Sequence, residues 1–141
     1  MPSAIPALLR AILVWALIML CESAHGALRR LLFDADVLFA LRQVSVGVGV
    51  LIVFALTWVC LPWLRLRSAG GALAVGGVWV VLTLAFEFAL GRVVGLSWSQ
   101  ILAEYDLAQG GVMVLGLLAM GLTPWLVLRL RSAPGSVGKA P

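Results

Sequence analysis

The chain has 141 residues, of which 63% are hydrophobic and 11% charged, with a formal net charge of +4. A water-soluble fold of this size leaves much of its surface in water and has no room to hide so many apolar side chains, whereas a bilayer removes that constraint. The single His and two Cys form neither a zinc-binding spacing nor a secretory disulfide framework, and the positive charge reads as a topology signal rather than a nucleic-acid surface.

Four windows approach the ~20 apolar residues that cross ~30 Å of hydrocarbon. The first is predicted near Ala4–Cys21 and exits through Cys21-Glu22-Ser23-Ala24-His25-Gly26. It is not read as a removable signal peptide, because it has a counterpart in mid-chain. Leu20 occupies the place where a lipoprotein signal wants a small residue before Cys21. The connection Arg29–Arg42 follows, with Phe33, Val37 and Leu41 as apolar contacts and Asp36 as a candidate cap. The second window, near Val44–Trp63, contains Cys60 and runs into Arg65-Leu66-Arg67-Ser68-Ala69. The third, near Gly71–Leu90, carries Glu87 close to its end, followed by Gly91-Arg92. Ser97 with Gln100 three residues on is a capping-box pattern. Trp98, Ile101, Leu102 and Tyr105 then recur at helical spacing, so Ser97–Gln109 is predicted as a short amphipathic helix at the interface. The fourth window is placed near Gly110–Leu128, and residues 133–141 have the composition of a disordered polar tail.

The two halves resemble each other. Val14-Trp15 returns as Val78-Trp79, Glu22 and Gly26 as Glu87 and Gly91, and Gln43 as Gln109. Leu56-Thr57 returns as Leu122-Thr123. Arg65-Leu66-Arg67-Ser68-Ala69 returns as Arg129-Leu130-Arg131-Ser132-Ala133, each time after a Pro-Trp pair. The order is kept and the offset is nearly constant, which predicts a tandem duplication with units of about 4–69 and 71–133. Each unit holds two spans, so both enter the membrane from the same side, as a parallel repeat about a pseudo-twofold axis along the membrane normal. The expected fold is an all-α integral membrane protein. Its single domain, residues 1–132, has four transmembrane helices in two tandem two-helix repeats, with short amphipathic segments on the outer side.

Arg10, Arg65, Arg67, Arg129, Arg131 and Lys139 fall in the tails and the loop after the second span, a side with no acidic residue. The positive-inside rule makes that side cytoplasmic. The chain is thus expected in a bacterial inner membrane with both termini inside. The repeated RLRSA segments then serve as cytoplasmic stop signals, with binding of anionic lipid headgroups as their functional alternative.

A carboxylate in or beside a span costs roughly 2.5 kcal/mol or more near the bilayer centre and needs water or a partner. Glu22 and Glu87 are therefore the leading candidate site residues, one in each half. Structurally, each would pair with Arg29, Arg42 or Arg92, or accept a hydrogen bond from Trp15, Trp79 or a Thr. Functionally, they would face each other across the pseudo-axis and bind a cation or proton. His25, three residues from Glu22, shares its helix face. Glu-x-x-His is a metal-site spacing in bundles, but the second half has Leu90 in place of His25. Gln43 and Gln109 are expected to make equivalent helix–helix hydrogen bonds, and Arg42, which has no counterpart, to sit over the acids. No catalytic, nucleotide-binding or metal motif stands in the sequence. The expected function is binding or transport of a cation, proton or small solute by a homo-oligomer. The alternative is an accessory subunit of a larger membrane complex whose ion pairs are structural; an enzyme is the least supported class.

Overall fold

The computed structural model describes residues 5–133, apart from the side chains at 35, 36 and 38–40. Residues 134–141 of the predicted tail 133–141, Lys139 among them, and the side chain of Asp36 lie outside the described residues. The chain forms α1 (Ala7–Leu32), α2 (Ala35–Leu64), α3 (Ala69–Val93), a short α4 (Trp98–Ala103), a 3-10 turn (Leu107–Gln109) and α5 (Met113–Ser132). Four of these helices, all but α4, are long and apolar enough to cross a membrane.

Local chemistry accounts for the helix ends. Ser68 caps α3 by accepting from the Gly71 amide at 3.0 Å. Ser97 and Gln100 form the predicted capping box at the start of α4. Arg65 ends α2 in the left-handed region at φ 53°. The two RLRSA copies therefore adopt different structures: the first makes the α2–α3 turn, whereas the second continues α5 to Ser132.

Two expectations about the connections are corrected. The helix of the first span does not end at Cys21–Gly26: α1 runs through Gly26 to Leu32 and keeps Glu22 and His25 inside the helix. Nor is there a separate interfacial helix in the first half. Arg29–Arg42 is divided between the end of α1 and the start of α2, broken only at Phe33-Asp34, with Asp34 at the N-cap position. The physical reason is that Gly26 is flanked by good helix formers, so its cost of ~1 kcal/mol is absorbed by the hydrogen-bonded ladder on both sides.

The long helices form a ring in the order α1, α2, α5, α3, each packed on its two neighbours. Trp15 Nε1 donates to Thr83 Oγ1 (3.0 Å) and Trp79 Nε1 donates to the Ala11 carbonyl (2.8 Å). Both bonds link residues 68 apart, so α1 and α3 run in the same direction in fixed register. In that register α1 outreaches α3 by about two turns, or roughly 10 Å, and the α4 segment packs on the end of α3. This ring order corrects the expected axis. A twofold rotation relating the two hairpins would put α1 and α3 on the diagonal, whereas here they are neighbours.

Val14, Ile18, Met19, Val53, Leu64, Trp79 and Met120 form the core cluster. Gly76 and Gly121 bring α3 and α5 into backbone contact; a methyl group on Gly76 would collide with the Gly121 carbonyl. Three buried threonines are satisfied: Thr57 and Thr123 donate to their own helices, and Thr83 donates to Met120 Sδ at 3.1 Å. Only 22% of the apolar window of α1 and 17% of that of α3 is buried inside the bundle. Many of the others, including Leu20 at 67% exposure and Val81 at 65%, point outward.

The charges separate by end. Arg10, Arg65, Arg67, Arg129 and Arg131 stand towards the basic end, where α1 and α3 begin and α2 and α5 finish. All six Asp and Glu residues lie in the half towards the opposite, mixed-charge end.

Candidate functional site

A cleft of about 470 Å³ opens in the mixed-charge half of the bundle, between α1, α2, α3 and α5. Its apolar floor includes Met19, Val53 and Met120, and Thr83 stands beside them. Trp15 donates to Thr83, which in turn donates to Met120, so this polar group is held in place and α1, α3 and α5 are tied together beneath the cleft. Glu22, His25, Arg29 and Arg30 reach the wall from α1, spaced three or four residues apart or adjacent, as one helix face requires. Arg42, Ser45 and Gly49 come from α2, Glu87 from α3, Met113 and Gly116 from α5, and Glu104 from the segment after α4.

Glu22 is held against Gly49: a methyl group added there would lie 3.0 Å from Glu22 Oε2. Glycine at this position leaves room for the carboxylate between α1 and α2. Glu22 Oε1 is buried without a hydrogen-bond partner. The arginines proposed as its partners are engaged elsewhere. Arg29 Nη1 donates to Ser45 Oγ at 2.6 Å. Arg42 Nη2 is ion-paired with Glu104 Oε2, the one salt bridge among the described residues. Arg92 donates to the Leu96 carbonyl at 2.9 Å and lies 5.2 Å over the Trp98 ring. Trp15 and Trp79 spend their N–H groups on Thr83 and Ala11. Glu87 is half-buried and lines the same cleft as Glu104 and Arg30.

The Arg42–Glu104 pair ties the start of α2 to the α4 segment at the mouth of the cleft. Its side chains are 32% and 54% exposed, so solvent screens it. R42Q is accordingly expected to cost less than about 1 kcal/mol of stability, measured by thermal denaturation in detergent. A larger loss would show that the pair holds the bundle together.

On the other side of α4, Phe88 stacks on Tyr105 at 5.6 Å and lies 6.0 Å from Trp98. Ile101 fills the space left by Gly91. The predicted apolar stripe therefore docks on α3 through Ile101 and Tyr105, while Trp98 and Leu102 remain exposed. Tyr105, the only tyrosine, is pushed above the ordinary phenol value of 10.0 by burial first and then by Glu87 and Glu104. A raised native value favours the neutral phenol, so its stabilising contribution is complete below pH 10 and is lost as pH rises through the native value. Ultraviolet titration of this single phenol should give a midpoint above 10 that E104Q lowers. An unchanged midpoint in E104Q would remove that carboxylate from the phenol's surroundings.

Five of the eight residues singled out in the sequence, Glu22, His25, Arg29, Arg42 and Glu87, thus meet at one cleft. Arg92 belongs instead to the end of α3. Gln43 is exposed on α2, and Gln109 donates to Asp106 Oδ2 at 2.9 Å in the 3-10 turn. The expected pair of equivalent glutamine bonds between helices is therefore absent from the described residues. The local Asp-x-x-Gln spacing captures Gln109 before α5 begins. Arg30, Ser45 and Glu104 were not singled out as site residues. Arg30 adjoins Arg29, and Glu104 stands off the apolar stripe of its helix, but no local signal told which side chains they would meet. Comparison of the chain with models of protein families, with curated proteins and with solved structures finds no match.

Proposed function

We propose that this chain is a multi-pass protein of a bacterial inner membrane, descended from a duplicated helical hairpin, with both termini in the cytoplasm. In this reading it binds or carries a proton or small cation at an outward-facing cleft around Glu22 and Glu87. Four long apolar helices with their leucines and valines turned outward suit a lipid solvent. The arginine-rich end faces the cytoplasm under the positive-inside rule.

The observation that carries the functional reading is the Glu22 carboxylate. It lines the cleft from within α1, half-buried, with one oxygen buried and unpartnered and no arginine salt-bridged to it. A structural carboxylate within a span is expected to be paired; one left open to a cleft suits an exchangeable cation or proton. His25 on the same helix face is the candidate relay.

The test is reconstitution in liposomes with a pH-sensitive dye inside and a potassium diffusion potential imposed by valinomycin. The expected result is potential-driven acidification that a competing external cation suppresses. Protein that inserts, stays monodisperse and gives no acidification would exclude proton transport and favour the accessory-subunit role.

A further inference from the structure

The repeated pentapeptide takes no part in the outward cleft, yet its two copies meet at the basic end. Arg65 and Arg67, from the turn after α2, and Arg131, from the last turn of α5, line one cavity of about 450 Å³ with Leu61, Pro62 and Leu66. Arg131 is fixed there by a missing hydrogen bond within α2. Pro62 has no N–H, so the Trp58 carbonyl one turn earlier loses its helical donor. Arg131 Nη1 donates to that carbonyl at 2.8 Å, and its guanidinium lies 5.3 Å over the Trp58 ring. Its other N–H groups make no hydrogen bond within the described residues. Arg65 and Arg67 are exposed, and none of the six acidic residues stands at this end to neutralise them.

We propose that this cavity binds the phosphate of an anionic phospholipid in the cytoplasmic leaflet. Guanidinium groups match phosphate oxygens in pairs, and Leu61 and Leu66 give the apolar part of the lipid a wall. Trp63, 42% exposed, and Trp125, under Arg129 at 5.3 Å, also lie in the half of the bundle towards the basic end. Tryptophan favours headgroup depth, which points to a lipid phosphate rather than a soluble one. The proposal needs the bilayer placement but neither Glu22 nor Glu87, so it stands or falls separately from transport.

The test titrates the purified full chain in detergent with phosphatidylglycerol, phosphatidylcholine or inorganic phosphate, counting bound molecules by native mass spectrometry. Phosphatidylglycerol should be retained over phosphatidylcholine. R65Q/R67Q should weaken that retention roughly thirtyfold, from the attraction of each arginine for an anionic surface. R65K/R67K should restore most of it. R10Q/R129Q, with the same charge change on residues that do not line the cavity, should change it less than about threefold under the same charge screening. Equal weakening in the two glutamine variants would reduce the effect to diffuse surface charge and overturn the site. Displacement of the lipid by an equal concentration of inorganic phosphate would overturn its assignment to a lipid.

Discussion

E22Q/E87Q is expected to lose ion-driven flux to the level of protein-free liposomes while melting no lower than the unsubstituted chain. The two readouts separate because of how Glu22 is placed. Its Oε1 accepts no hydrogen bond and no arginine is salt-bridged to it. Replacing the carboxylate by an amide therefore removes a buried charge without leaving a partner stranded. Stranding is the usual source of large losses, about 3–5 kcal/mol when one half of a buried pair is deleted. Without it, relief from carrying a half-buried charge within a span acts in the stabilising direction. Glu87 likewise has no salt bridge among the described residues, so its neutralisation strands no partner either. A double variant that aggregates or melts far lower would show the acids to be structural. One that folds and still conducts would remove them from the transport path.

Gly76→Ala is expected to be the most damaging small substitution in the bundle, while Gly77→Ala next to it should be nearly silent. A methyl group on Gly76 would run into the Gly121 carbonyl, a backbone group with no rotamer to escape into. Nothing lies within 4 Å of the corresponding position on Gly77. Relieving the clash requires α3 and α5 to separate, which loosens the packing around Trp79 and Met120 in the core. Overpacking of this kind costs about 1–3 kcal/mol, and more where backbone blocks relaxation. For a domain of this size, the upper end corresponds to a fall in Tm on the order of 10 °C. Gly77→Ala should gain a few tenths of a kcal/mol from the better helix propensity of alanine. Equal melting temperatures for the two variants would mean that α3 and α5 do not touch at Gly76.

The pair also shows what one sequence conceals. Gly76 and Gly77 are adjacent, alike in composition and equally suited to close helix packing. Only the rotation of α3 about its axis distinguishes them. The same holds for the arginines. Arg42 was expected over the two acids; it does line their cleft, but its ion pair is with Glu104, 62 residues away. Gln43 and Gln109 occupy matching places in the two halves, yet one is exposed on a helix and the other is captured by Asp106.

The chain by itself determined the features that depend on near neighbours and on summed hydropathy. These are four long apolar helices, the Ser97–Gln100 capping box, the gathering of all acidic residues towards one end, and the placing of Glu22 and His25 on one helix face. Each follows from hydrogen bonds or spacings within about four residues, or from composition over some twenty. The tertiary structure alone decided the ring order of the helices, the absence of a twofold axis between the hairpins, the Gly76–Gly121 contact, the Trp58 carbonyl held by Arg131, and the open oxygen of Glu22. These join residues far apart in the chain. Their selection rests on which helix faces interlock, and a side chain's neighbours across such an interface leave no trace in the residues beside it.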